Sequence, residues 1–184
     1  TMLGCMKEFG AFAGYVQSDE ITLFFNQPKI ETQLPFDGNV NKINSLMASY
    51  TSIYFNKMLP DFLPHAKNSN ATFDARVFQT PNETEASNAL LWRWQDAARN
   101  SIQQVGQSHF SHKELHRVNT KEIIEKLWVE KKVDYYAYCP RYRYGILARK
   151  VSGPISGAYY VEETTNIHKD FEFDYRCVQN REDV

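Results

Sequence analysis

Two short β-prone runs separated by four polar residues constrain this chain more than any other feature. Ala11-Phe12-Ala13-Gly14-Tyr15-Val16 and Ile21-Thr22-Leu23-Phe24-Phe25 are rich in aromatic and β-branched side chains. Gln17-Ser18-Asp19-Glu20 between them has room only for a tight reversal, so the two runs pair antiparallel, with acid at the tip of the hairpin. A lone hairpin is marginal in water, and the rest of the chain has to cover it. With 184 residues there is material for one domain with a core and too little for two of ordinary size.

The flanking sequence spells mostly helices. Residues 2–10 read as the end of a helix closed by Gly10, and residues 26–38, with Pro28, Pro35 and Gly38, as a loop. Val40, Ile43, Leu46, Met47, Tyr50, Ile53 and Tyr54 recur at helical spacing and predict a helix of about five turns ending near Pro60. A second loop over 60–70 leads to an alternating stretch, 71–78, that reads as a strand. Thr80-Pro81-Asn82-Glu83 is a helix start with Thr80 as its cap, and that helix can run to about Gly106. Two further capping boxes, Ser111 to Glu114 and Asn119 to Glu122, predict a short helix and a longer one through Lys132. Strands are expected at 144–151 and 157–162, and the polar last twenty residues are expected to be poorly ordered. Without a first strand, the order matches the strand-helix-strand-strand-helix-strand pattern of an α+β, ferredoxin-like domain, here followed by a helical extension and short strands.

Composition excludes several classes. No apolar run approaches the length of a membrane span and no basic-then-apolar leader opens the chain, so a cytoplasmic protein with no membrane partner is expected. Cys5, Cys139 and Cys177 are too few and too far apart for a disulfide framework or a metal knuckle. There is no Walker lysine loop, Rossmann glycine pattern or serine or cysteine triad. The formal net charge of −1 conceals an asymmetry: residues 93–150 hold twelve Lys and Arg against six Asp and Glu, while both flanking segments are acidic. A local basic face suits a bound polyanion, although lysines solvating helix faces give the same numbers.

The sharpest chemical feature is the hairpin tip. Successive strand residues point to opposite faces, so Asp19 and Glu20 diverge unless the turn twists them. One of them, Asp19 for preference, then binds a divalent metal while the other takes a supporting role or a structural partner; a solvated acidic turn is the plain alternative. Hard carboxylate oxygens suit Mg²⁺, which is held by one or two carboxylates plus substrate phosphates. Arg141-Tyr142-Arg143-Tyr144-Gly145 interleaves cations with aromatics, as single-stranded RNA sites do, and also reads as the approach to a strand. His109, His112 and His116 are spaced to share a helical face, but an exposed or RNA-facing role fits them better than a metal. Trp92 and Trp94 read as core or interface, and Arg93 and Arg99 as contacts to phosphate or partners of Asp96.

Gly14-Tyr15-Val16-Gln17-Ser18-Asp19-Glu20 followed by an apolar strand resembles the signature of the histidine-tRNA guanylyltransferase family and its Thg-like relatives, the 3′-to-5′ nucleotide-adding polymerases. The likeness continues in order. Phe36-Asp37-Gly38-Asn39-Val40-Asn41-Lys42 resembles the family's segment at the start of the long helix, and Phe73-Asp74-Ala75-Arg76 its Phe-Asp-x-Arg strand. Trp92, Arg93, Asp96, Ala97, Arg99, Asn100, Ser101 and Ile102 are similar to its tryptophan-arginine helix, and the match spans roughly residues 1–150.

The resemblance implies a polymerase palm, with an antiparallel sheet and helices on one face, over residues 1–110 and an extension of the same domain over 111–184. It implies a nucleotidyltransferase that adds a guanine nucleotide to the 5′ end of tRNA, with two Mg²⁺ ions and with GTP and ATP as substrates. Asp19 and Glu20 take the catalytic and metal positions, Ser18, Asn39 and Lys42 the nucleotide, and Arg93, Arg99, Asn100, Arg141 and Arg143 the RNA. Asn39 stands where relatives tend to carry an arginine, which weakens phosphate binding. Ala98, Asn100 and Ser101 replace the histidine and paired asparagines of eukaryotic members, which places the chain nearer the bacterial, archaeal and viral Thg-like branch that repairs tRNA 5′ ends. A homo-oligomer is implied, relatives being tetramers. The family's first strand supplies a further metal carboxylate, so the 184 residues alone are expected to be a fragment that aggregates and lacks transfer activity. The alternatives are an inactive RNA-binding remnant and, more remotely, a nucleotide-cyclase type of palm.

Overall fold

The computed structural model describes residues 1–25, 34–152 and 159–164, with side chains through residue 150; the polar C-terminal stretch and Cys177 lie outside the described residues. The chain divides into two compact units. The first comprises residues 1–15, 21–79 and 148–162, and the second residues 16–20, 80–147 and 163–184.

In the first unit, helix α1 (Met2–Phe9) ends at Gly10, whose φ of 74° is the left-handed conformation a side chain would resist. The expected hairpin follows as β1 (Ala13–Gln17) and β2 (Glu20–Phe24). Two later strands, β3 (Ile146–Ser152) and β4 (Tyr159–Thr164), complete a sheet of order β2-β1-β3-β4, with a few strand-end residues counted in the second unit. Just before β1, the Phe12 N–H donates to the Phe24 carbonyl (3.0 Å) and the Phe12 carbonyl accepts from the Lys150 N–H (2.8 Å). Among the described residues β2 and β4 are the sheet's edges, and β1 is paired on both sides. Helix α1 lies on β1 at Gly14, where an added Cβ would stand 2.8 Å from the Met6 sulfur. Helix α2 (Val40–Phe62) packs on α1 through Phe9 against Tyr50 (ring centres 5.3 Å apart) and Cys5 against Thr51.

Helix α2 ends at Phe62, two residues past Pro60 and close to the expected stop. One expectation in this unit is corrected. Residues 71–78 form no strand. Their backbone is taken up by side chains of α2: the Asn56 amide donates to the Ala71 carbonyl (2.7 Å) and accepts from its N–H (2.9 Å), and the Ser52 hydroxyl accepts from the Phe73 N–H (2.9 Å). A side-chain amide offers the same donor and acceptor as a strand residue, so the segment is satisfied without a sheet partner. Phe73 packs edge-on against Phe55, and Asp74 pairs with Arg76 in full exposure, where such a pair contributes little.

The second unit is built on α3 (Glu83–His109), capped by Asn82, whose side chain accepts from the Glu85 N–H, rather than by Thr80. The Ser111–Glu114 box forms, and two hydrogen bonds from Ser111 hold the Glu114 carboxyl below its usual range. The box nevertheless opens only a chain of turns over 112–117, ended by the left-handed Arg117 (φ 61°), since one turn between the buried Phe110 and Leu115 is too short to propagate. The Asn119–Glu122 box does start a helix, α4 (Thr120–Lys131), and α5 (Pro140–Tyr144) precedes β3, which begins two residues after the expected strand start. Val105, Phe110, Leu115, Ile123, Leu127 and Tyr135 form one core cluster, so packing continues across residue 110, where the palm was expected to end.

Helices α3 and α4 meet at Gly106, where an added Cβ would lie 2.8 Å from the Ile123 Cγ2, itself fully buried. Overpacking there outweighs the gain in helix propensity, so Gly106→Ala should destabilise the protein by about 1–2 kcal/mol. A lower denaturation midpoint at unchanged m checks this, and an unchanged or raised midpoint contradicts it.

Candidate active site

The hairpin reverses through two residues, Ser18 and Asp19. Ser18 carries φ of 50°, a position where glycine is the ordinary occupant. The adjacent acids are thereby separated. Asp19 sits exposed on the turn and makes no hydrogen bond or ion pair among the described residues. Glu20, the first residue of β2, accepts a hydrogen bond from the Gln17 side-chain amide (3.0 Å) and forms an ion pair with Arg93 of α3. Gln17 is buried, the partner that sequence reasoning missed. Its signal was a polar residue at the inward register of Ala13 and Tyr15, directly before the turn.

Arg93 is held from two sides: it pairs with Glu20, and its guanidinium lies 5.1 Å from the Trp92 ring centre. Trp92 is 52% exposed, contrary to a core role, whereas Trp94 stacks on Tyr144 with ring centres 5.2 Å apart. One turn on, Asp96 gathers Arg99 (3.9 Å) and the Asn100 amide (3.1 Å), leaving Arg99 mostly in solvent. Ser101 faces inward against the Tyr135 hydroxyl (2.7 Å), and burial pushes that phenol above its usual range. Arg143 donates to the Tyr138 carbonyl (3.0 Å) and the Tyr144 hydroxyl (3.3 Å), and so is engaged within the unit, while Arg141 is exposed.

In the first unit, Phe36, Asp37 and Gly38 all take positive φ and turn the chain into α2. The Asn39 side chain then caps α2 by accepting from the Lys42 N–H (3.1 Å). An arginine at this position would forfeit a cap worth about 1 kcal/mol, which gives Asn39 a reason of its own. Lys42 is exposed, with its ammonium 5.4 Å from the Phe36 ring centre.

No group of three or more His, Cys, Asp or Glu is gathered for a metal among the described residues. His112 and His116 lie with ring centres 6.4 Å apart. At the hairpin tip, Asp19 is the open carboxylate and Glu20 is neutralised. This donor set fits one Mg²⁺ shared with nucleotide phosphates and does not by itself fit a two-ion cage.

The sequence pattern of the family tRNAHis guanylyltransferase (Thg1) matches residues 1–81. A bacterial tRNA(His) guanylyltransferase (Thg1)-like protein, solved in complex with ATP, shares the fold at a TM-score of 0.74 and 33% identity, with 94% of this chain and 71% of that one covered. A structure of such a bacterial protein with GTP gives a TM-score of 0.67 at 26% identity, over 97% of this chain and 72% of that one. Uncharacterized protein R259 of Acanthamoeba polyphaga mimivirus is 28% identical over 172 residues, covering 82% of this chain and 59% of that protein. The chain thus spans about three fifths of the length of this curated relative. The tRNA(His) guanylyltransferase of Saccharomyces cerevisiae, at 17% identity, shares the fold with a TM-score of 0.70 over 94% of this chain and 79% of its own. The fold is the α+β palm of these proteins, and the chain belongs to the tRNA(His) guanylyltransferase (Thg1) family.

Replacing Ser18 by glycine should relieve the left-handed strain and stabilise the fold by about 1 kcal/mol. A melting temperature that fails to rise would show that the turn is not strained. In a double-mutant cycle with Glu20→Gln and Arg93→Met, the pair should show a coupling of about 1 kcal/mol, as expected for partly exposed ions; a coupling near zero would mean that Arg93 does not hold the turn.

Proposed function

We propose that this chain carries the transfer site of a tRNA guanylyltransferase-type nucleotidyltransferase, which adds a guanine nucleotide at the 5′ end of tRNA in the 3′-to-5′ direction. One observation carries this reading: the hairpin tip presents Asp19 open while Glu20 is anchored to Arg93, the arginine of the tryptophan-arginine helix. Mg²⁺, when bound, would supply charge neutralisation for the triphosphate of GTP or ATP. Asp19 would hold that ion, and the Ser18 hydroxyl would meet the nucleotide beside it. Glu20, fixed by Arg93 and Gln17, orients the turn. Lys42 would contribute a compact positive charge to the triphosphate, with Asn39 maintaining the helix start from which it projects. The attacking group is the 3′-hydroxyl of the incoming nucleotide and the electrophile is the activated RNA 5′ end, so the protein's task is positioning and charge stabilisation. Arg99 and Asn100, about two turns beyond Arg93, together with the exposed Arg141, are the groups offered to RNA phosphate; Arg143 supports them from within. Action as a homo-oligomer in the cytoplasm belongs to the same proposal.

The test is incorporation of labelled GTP into a tRNA lacking its first nucleotide. In a complete protein, Asp19→Ala should lower incorporation by at least a thousandfold without altering the melting temperature. Full activity in that variant would remove Asp19 from the site. The single open carboxylate also favours a second reading, an RNA-binding remnant without turnover. Binding of tRNA with no magnesium-dependent incorporation would select it.

A further inference from the structure

The tyrosines around α5 are not used by the transfer site. Tyr135, Tyr136, Tyr138 and Tyr142 form a connected set of rings: Tyr135 meets Tyr136 edge-on at 5.5 Å and Tyr138 at 6.5 Å, and Tyr138 meets Tyr142 at 5.7 Å with the planes tilted by 31°. Arg143 lies among them, its guanidinium 5.8 Å from the ring centres of both Tyr135 and Tyr136. Two members of the set face outward, Tyr136 at 62% and Tyr142 at 45% exposure.

These two rings are exposed and yet restrained. Tyr136 is supported by Tyr135 and Arg143, and its backbone N–H donates to the Asp134 carboxylate (2.8 Å). Tyr142 rests on Tyr138, and its hydroxyl donates to the Gln104 side-chain carbonyl (2.8 Å). A ring already fixed in place loses little rotamer freedom when a second flat group stacks on it. Exposed Lys131, Lys132 and Arg141 flank the rings in sequence, and residues 131–144 hold four Lys and Arg against a single Asp.

We propose that Tyr136 and Tyr142 form a stacking platform for unpaired bases of RNA, with the flanking cations on its backbone phosphates. Aromatic faces with interleaved cations bind single strands without reading their sequence. The arginine-tyrosine run thus acts through its tyrosines, and Arg143 holds the rings from within. The inference rests on the proposed function only in taking RNA as the partner, and it places no requirement on Asp19.

The test uses the whole chain and a fluorescein-labelled single-stranded RNA decamer, followed by anisotropy, with a duplex of the same composition for comparison. Tyr136→Ala and Tyr142→Ala should each weaken decamer binding by roughly tenfold. The phenylalanine variants should stay within about twofold of the wild type, since they keep the stacking face. Binding of the duplex, whose bases are already stacked, should move little in any variant. Alanine variants that bind the decamer like wild type, phenylalanine variants that lose as much as alanine, or alanine variants that change only self-association in sedimentation would each overturn the proposal. Asp19→Ala should leave decamer binding unchanged, so loss of transfer in that variant and loss of binding in the tyrosine variants report on separate claims.

Discussion

Glu20 and Arg93 lie 73 positions apart and belong to a strand and a helix, and their ion pair turns the hairpin tip and the tryptophan-arginine helix into one piece of chemistry. With the side chains 28% and 46% exposed, the pair contributes about 1 kcal/mol to stability at most. Its consequence is positional. By consuming Glu20, it leaves Asp19 as the carboxylate with free lone pairs, so two neighbouring acids of similar chemistry acquire different roles. Arg93 in turn has its place set by the Asn82 cap that starts α3 and by Trp94, which stacks on Tyr144 one residue further along.

The same economy recurs where short polar side chains do the work of secondary structure. Asn56 and Ser52 satisfy the backbone of residues 71–73, Asn39 closes the start of α2, and Ser101 lies between α3, Tyr135 and the Arg143 carbonyl. Each bond is modest, about 1 kcal/mol net, but a buried backbone group left without one would cost more than the bond contributes. These contacts hold irregular segments in place beside the helices, and in the second unit they set the positions from which the tyrosines and Arg143 act.

Much of the fold was legible because it follows from local rules. The hairpin, the Gly10 stop, the Asn119–Glu122 box and the amphipathic course of α2 all depend on residues within a few positions of one another. The misreadings have a common cause. Residues 71–78 alternate like a strand, yet a strand needs a neighbour, and Asn56 supplies the hydrogen bonds instead. The Ser111 box is chemically complete, but Phe110 and Leu115 are both buried, and this allows a turn without room for a helix. At the site, Asp19 and Glu20 could be singled out from the sequence, whereas Gln17 and the pairing of Glu20 with Arg93 could not, because each requires knowing which face of β1 is covered and which helix passes nearby.

The sequence by itself determined that this chain is an α+β protein with an acidic hairpin tip, capped helices and an ordered series of family motifs. Periodicity, capping and turn chemistry are short-range, and they are written in adjacent residues. Only the tertiary structure decided which of the two acids stays open, that β3 from the far end of the chain lies beside β1, and that Arg143 is enclosed by tyrosines while Tyr136 and Tyr142 face solvent. Those outcomes depend on contacts between residues far apart in sequence, where a carboxylate or a guanidinium takes the first opposite charge, amide or ring that packing brings within reach.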